Sequence, residues 1–304
     1  MGLGFNSVYH LTDAPFLISE DKFIFFDPHQ RGYINEIYRG YKLNFVDQSL
    51  QRHYPNQFDP FPIISNKYDG TVFRYPLRTE DDAKESEISK KVYKPEEILE
   101  MFQKFYEIDN INCLIFLKSL KEISFYQIKE GNNEKELLYK IEITNNDEIK
   151  EKRKRIAKDI PTIMESLREG IFNTKDVQMI YKANFQIESF IDNKINKSSS
   201  SEWLIINYLG DIEKTNEYFC KEFKKNIYDY KFVPNVALAA RIDKASENKG
   251  RLFCFLPIPG TIQELAIFVN GYFAVSKNRR SIEAFADKDL VIIYIYIYIL
   301  VCYI

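Results

Sequence analysis

The chain has 304 residues, enough for two domains or one large one. Hydrophobic residues make up 45% and charged residues 28%, with a formal net charge of −2 and a pI near 6.1. This balance is ordinary for a globular protein and gives no electrostatic reason to expect nucleic acid or an anionic membrane surface as partner. Phe (24) and Tyr (21) far outnumber Trp (1). Ile, Asn and Lys are frequent too, and these five types share A/T-rich codons, so the aromatic excess reads as coding bias rather than a surface for stacking bases.

The chain opens on Gly2-Leu3-Gly4 running into a segment of helical character, Phe5 to Asp13. Glycine lets backbone N–H groups approach phosphate closely, and a helix N-terminus carries partial positive charge. A strand-like Lys22-Phe23-Ile24-Phe25-Phe26 follows, ending at Asp27-Pro28-His29. Residues 47–66 read as a polar loop. Alternation over Tyr68-Asp69-Gly70-Thr71-Val72-Phe73-Arg74-Tyr75-Pro76-Leu77-Arg78 predicts a strand, on which Arg74 and Arg78 share a face, solvated or paired with local carboxylates. Residues 79–92 are charged and lack apolar periodicity, which predicts a linker.

Pro95 opens a helix with Ile98, Leu99, Phe102 and Phe105 on one face. Strands are expected at 113–118, 123–128 and 137–143, with Asn132-Asn133 as a turn between the last two. Residues 147–170 read as a charged helix. Its run Lys150-Glu151-Lys152-Arg153-Lys154-Arg155 is flanked by acidic residues and reads as a solvated face. Further strands are expected at 183–190 and 203–208, joined by Lys197-Ser198-Ser199-Ser200-Ser201 as a flexible loop. Strands at 251–256 and 265–273 complete an α/β or α+β second half.

Cys113, Cys220, Cys254 and Cys302 are widely separated in apolar or helical runs, which reads as buried free thiols. Neither they nor His10, His29 and His53 cluster at ligand spacing, so no metal site is expected. No charged-then-apolar leader opens the chain, and a cytoplasmic setting is expected. Asp69, Asp81 and Asp82 form no catalytic carboxylate pair. Residues 290–304, with strict Ile-Tyr alternation, are too short for a membrane-spanning helix and apolar on both faces as a strand. An AT dinucleotide repeat translates as alternating Ile and Tyr, so the tail reads as translated non-coding sequence.

Four stretches then carry a resemblance. Gly2-Leu3-Gly4-Phe5-Asn6-Ser7-Val8-Tyr9-His10-Leu11-Thr12-Asp13 with Phe26-Asp27-Pro28-His29 resembles the sacsin family, whose repeats carry a GHKL-type ATP-binding domain like that of the ninety-kilodalton heat-shock chaperones. Tyr68 to Arg78 resembles the next family motif. Gly250-Arg251-Leu252-Phe253-Cys254-Phe255-Leu256-Pro257-Ile258-Pro259 and Val269-Asn270-Gly271-Tyr272-Phe273-Ala274-Val275-Ser276-Lys277-Asn278-Arg279-Arg280 resemble those that follow.

The resemblance implies a partial GHKL-type α/β sandwich over 1–90, a middle-like α/β domain over 91–285 and an apolar tail outside the family over 286–304. It implies phosphate contacts from Gly2, Gly4 and Phe5 with Asn6 nearby, Gly70 and Thr71 beside the adenine, and Arg279 or Arg280 on the terminal phosphate. Arginine suits that last role because its planar fork neutralises developing charge on phosphoryl oxygens. ATP and magnesium are the family's cofactors, and client proteins and chaperone machinery its partners.

The family's acidic base, magnesium-binding Asn and adenine-reading Asp come from motifs upstream of the glycine turn. The chain as written is therefore not expected to be a competent ATPase. An ATP-dependent chaperone module, a non-catalytic binding scaffold and a degenerate fragment are the three readings, the latter two ranked higher.

Overall fold

Leu3–Asn6 forms a short helix, α1, continued by a 3-10 turn over Ser7–His10. The computed structural model describes residues 3–30, 38–44, 52, 67–129, 134–169, 177–210, 212–224, 235–244, 249–260 and 266–271. The 47–66 loop (Arg52 apart), the Asn132-Asn133 turn, the Ile-Tyr tail, Gly2, Arg279, Arg280 and Cys302 lie outside the described residues. The chain divides into two units, Met1–Met101 and Phe102–Ile304.

In the first unit, β1 (Phe16–Glu20), β2 (Lys22–Phe26), β3 (Gly40–Asn44) and β4 (Tyr68–Arg74) form a four-stranded sheet in the order β3-β2-β1-β4. The β1–β2, β2–β3 and β1–β4 pairs are antiparallel. Phe16, Ile18 and Phe23 are buried on one face, packed with Phe25, Leu43 and Tyr68. Residues 79–92 are not a plain linker. Thr79 and Asp82 form a capping box at the start of α2 (Glu80–Glu85), which buries Ala83. The charges at 80–82, 84 and 85 are the polar side of this one short helix.

The helix expected from Pro95 is α3 (Pro95–Lys104), and it ends in a wider π turn over Phe105–Asp109. Phe102 and Phe105 both pack on Phe125, at ring-centroid distances of 4.9 and 5.4 Å. Residues 113–118 are not a strand. Asn110–Cys113 is a 3-10 helix, and the turn after it buries Leu114, Ile115 and Phe116. A continuous apolar run is read equally well as a buried strand or a buried turn, and packing decided for the turn.

The second unit is built on an eight-stranded sheet in the order β11-β10-β12-β9-β8-β7-β6-β5. Its strands are β5 (Glu122–Gln127), β6 (Glu136–Ile143), β7 (Val177–Ile191), β8 (Lys194–Leu209), β9 (Asn235–Arg241), β10 (Arg251–Cys254), β11 (Leu256–Pro257) and β12 (Ile267–Gly271). Every neighbouring pair is antiparallel except β10 with β12. With α4 (Asn146–Glu169) and α5 (Ile212–Phe223) the fold is α+β.

The serine-rich segment 197–201 is strand, not loop. Ser198 pairs with Glu188 and Ser201 with Phe185 inside β8. The chain turns instead at Asp192-Asn193, whose φ values of 50° and 58° suit a two-residue hairpin turn of the primed type.

One sheet face carries the main core. Trp203 stands opposite Ala183 and Phe268 opposite Ala239, so large side chains sit beside small ones and interdigitate. Phe116 meets the Phe253 ring at 4.9 Å, and Trp203 meets Phe268 at 4.8 Å. The basic run on α4 is solvated except at Arg153. That side chain is buried and donates to the carbonyls of Leu117 and Leu120 and to Asn146 Oδ1. Burial pulls its guanidinium below the usual arginine range. Among the described residues no helix is long and apolar enough to cross a membrane.

Candidate functional site

Facing side chains on paired strands share a sheet face, so register decides what the first unit presents. Ser19 pairs with Thr71 and Leu17 with Phe73, and both pairs lie on the face opposite Phe16 and Ile18. The Phe5 ring of α1 sits 5.0 Å from Phe26 and 6.4 Å from Phe73. The helix that contains Gly4 and Phe5 therefore lies over the same face as Thr71. The fold brings Phe5 onto one side of the sheet with Thr71, from segments far apart in the chain, while Gly70 borders this face through the carbonyl that faces Ser19.

The floor of this site is hydroxyl-rich. Ser19 Oγ and Thr71 Oγ1 are 2.9 Å apart, and Ser19 Oγ also donates to the Gly70 carbonyl at 3.4 Å. Gly70 has φ 130°, a backbone shape that side-chain-bearing residues rarely adopt, so glycine is required there for conformation, not for lack of space. Thr71 and Asn6 are exposed. On the same face Lys22 Nζ donates to Asn44 Oδ1 at 2.7 Å and to Asp21 Oδ2 at 2.7 Å. That hydrogen bond from Lys22 holds the Asp21 carboxyl below its usual range.

Sequence reasoning missed the buried polar cluster behind the glycine-turn helix. Arg78 is not a strand residue: β4 ends at Arg74, and Arg78 turns inward with its side chain 0% exposed. Its Nε and Nη2 donate to Asp13 Oδ1 at 3.1 and 2.6 Å. Nη2 also donates to the Tyr9 carbonyl at 2.8 Å, and Nη1 donates to the carbonyls of His10 and Lys91 at 3.2 and 2.8 Å. Ser86 Oγ donates to Asp13 Oδ1 at 3.1 Å, and His29 Nε2 lies 3.6 Å from Asp13 Oδ2. The signal in the sequence is Pro76, which ends the strand before Arg78 and takes it out of the alternation.

Asp81 pairs with Lys84 on the surface, and Asp82 is spent in the capping box. Of the thiols, Cys113 is half-buried and burial pushes it up to about 11, with Asp109 adding to the effect. Cys220 is exposed, against expectation, because it lies on the outer side of α5. Among the described residues no three His, Cys, Asp or Glu side chains converge as a metal site.

A small antiparallel sheet with a glycine-turn helix across it, followed by an α+β unit, is the class of chain in hand, and it is sacsin-like. Residues 1–140 match the Sacsin domain family. The chain is 29% identical over 303 residues to Sacsin from Homo sapiens, an alignment that covers 93% of this chain and 6% of the human protein. The similarity thus extends well past the first unit, while the chain spans a small part of its relative.

Proposed function

We propose that this chain is a nucleotide-contacting module of a sacsin-like chaperone or co-chaperone. The observation that carries the reading is the shared sheet face: Phe5, next to Gly4 and Asn6 in the chain, lies over the face that presents Thr71 and Ser19. Backbone N–H groups at the glycine turn would cradle phosphate, and Gly70 and Thr71 would lie beside the base. Gly2 would extend the phosphate cradle. These contacts are a floor and one wall. The described residues add no set of carboxylates that holds a metal. The chain by itself is expected to bind ATP–Mg in the millimolar range, about −4 kcal/mol, and to hydrolyse it poorly.

A second reading, a scaffold that holds client proteins without hydrolysis, is favoured by the β7–β8 hairpin. Residues 191–200 at its end are all exposed, Ile191 and Ile195 among them at 61% and 60%. Titration calorimetry with ATP–Mg, run beside an assay for suppressed aggregation of a heat-unfolded reporter enzyme, separates the two. Weak binding that Thr71→Val weakens further, with suppression that ATP changes, supports the module. Suppression indifferent to ATP and lost on Ile191→Asp with Ile195→Asp supports the scaffold. No binding and no suppression would sink both.

A further inference from the structure

The five N–H groups of Arg78 are all engaged, and they reach three places on the chain. Two go to Asp13, two to the last carbonyls of the 3-10 turn at Tyr9 and His10, and one to Lys91. Its own backbone N–H donates to the Leu11 carbonyl at 3.0 Å. Carbonyls at a helix C-terminus lack partners within the helix and carry partial negative charge, which a guanidinium satisfies. Asp13, tied also to Ser86, fixes the plane of the fork. The Ser86–Lys91 segment is itself strapped by side chains: the amides of Ile88 and Ser89 donate to Ser86 Oγ, and that of Lys91 donates to Ser89 Oγ.

We propose that Arg78 is a positioning residue that locks the glycine-turn helix and the Ser86–Lys91 strap into one mechanical unit, so that a ligand seated at the turn is felt at the strap leading to α3. The ligand half of this statement rests on the nucleotide reading above; the mechanical half does not. Lysine keeps the charge for Asp13 but places all its donors on one atom, so it cannot span Tyr9, His10, Asp13 and Lys91 together.

Hydrogen exchange read by mass spectrometry on the full chain tests both halves, using wild type and Arg78→Lys. Without nucleotide, Arg78→Lys speeds exchange at Leu11 and Thr12 and at Ile88, Ser89 and Lys91 together, by about tenfold, and leaves β1 and β2 within about twofold. Exchange that rises in one segment alone, in neither, or equally across the sheet overturns the lock. With ATP–Mg at several times its Kd, wild type slows at both segments and Arg78→Lys slows at the turn alone. Slowing of both segments in the variant overturns the transmission. Wild type that slows at neither segment overturns the nucleotide reading, while the joint loosening in the variant still upholds the lock.

Discussion

The four-stranded sheet buries Phe16, Ile18 and Phe23 as its apolar centre, and beside them Asp13, Arg78 and Ser86 are at least nine-tenths buried. The eight-stranded sheet buries Trp203, Phe185, Phe253, Ile205 and Leu114 to 1% exposure or less, a far larger apolar centre, around which Arg153, Asn235 and Asn270 are also at least nine-tenths buried. Two ways of holding a short element to a sheet are thus present in one chain. In the second unit Leu114, Ile115 and Phe116 are held by close packing, which is tolerant of sequence provided volume is kept, and the Arg153 guanidinium only ties down the carbonyls of Leu117 and Leu120 that follow. In the first unit Val8 after the glycine-turn helix is buried and Phe5 lies on the other sheet face, and directional hydrogen bonds from the Arg78 guanidinium hold the end of the element. Such a device is intolerant: it works with one residue type in one geometry.

The contrast breaks most visibly at Trp203. Trp203→Ala removes the ring that meets Phe268 and leaves Ala183 opposite a void, and is expected to cost about 4–5 kcal/mol in urea unfolding followed by far-UV circular dichroism. A loss below about 2 kcal/mol would show that the core collapses into the space.

Arg78→Met comes next, at about 3–4 kcal/mol, because it strands the Asp13 carboxylate away from water. Adding Asp13→Leu should return only about half of this, since the Tyr9, His10 and Lys91 carbonyls still lose their donor. Full recovery in the same unfolding experiment would reduce the device to a plain ion pair.

The smallest effect is chemical. In a short pulse of iodoacetamide at pH 8, exposed Cys220 should be labelled well before Cys113, read by peptide mass spectrometry. Cys113 stands at about 11 in the fold against an ordinary 9.0. The folded state therefore holds its proton more tightly: this contribution to stability is complete below pH 9 and is lost as the pH rises towards 11. Equal labelling at pH 8 would show that the turn after Asn110–Cys113 opens readily.

Local pattern made a good part of the fold legible. The runs 22–26, 123–128 and 137–143 fall on β2, β5 and β6, and the apolar stripe after Pro95 falls on α3, because each is a periodicity written in neighbouring residues. β1, β3 and β9 were not visible, being short segments with little alternation of their own; β3 and β9 also pair with strands well removed in the chain. The serine-rich half of β8 reads as loop by composition and is strand only because β7 supplies its hydrogen bonds.

The glycine turn, the Gly70-Thr71 pair and the sacsin-like character are properties of the sequence by itself, since glycine freedom and motif order are carried by adjacent residues. That Thr71 and Phe5 share a sheet face, and that Arg78 locks onto Tyr9, His10, Asp13 and Lys91, was decided by the tertiary structure alone. The reason is that strand register and the burial of a charged side chain depend on partners tens of residues away, and no local pattern encodes them.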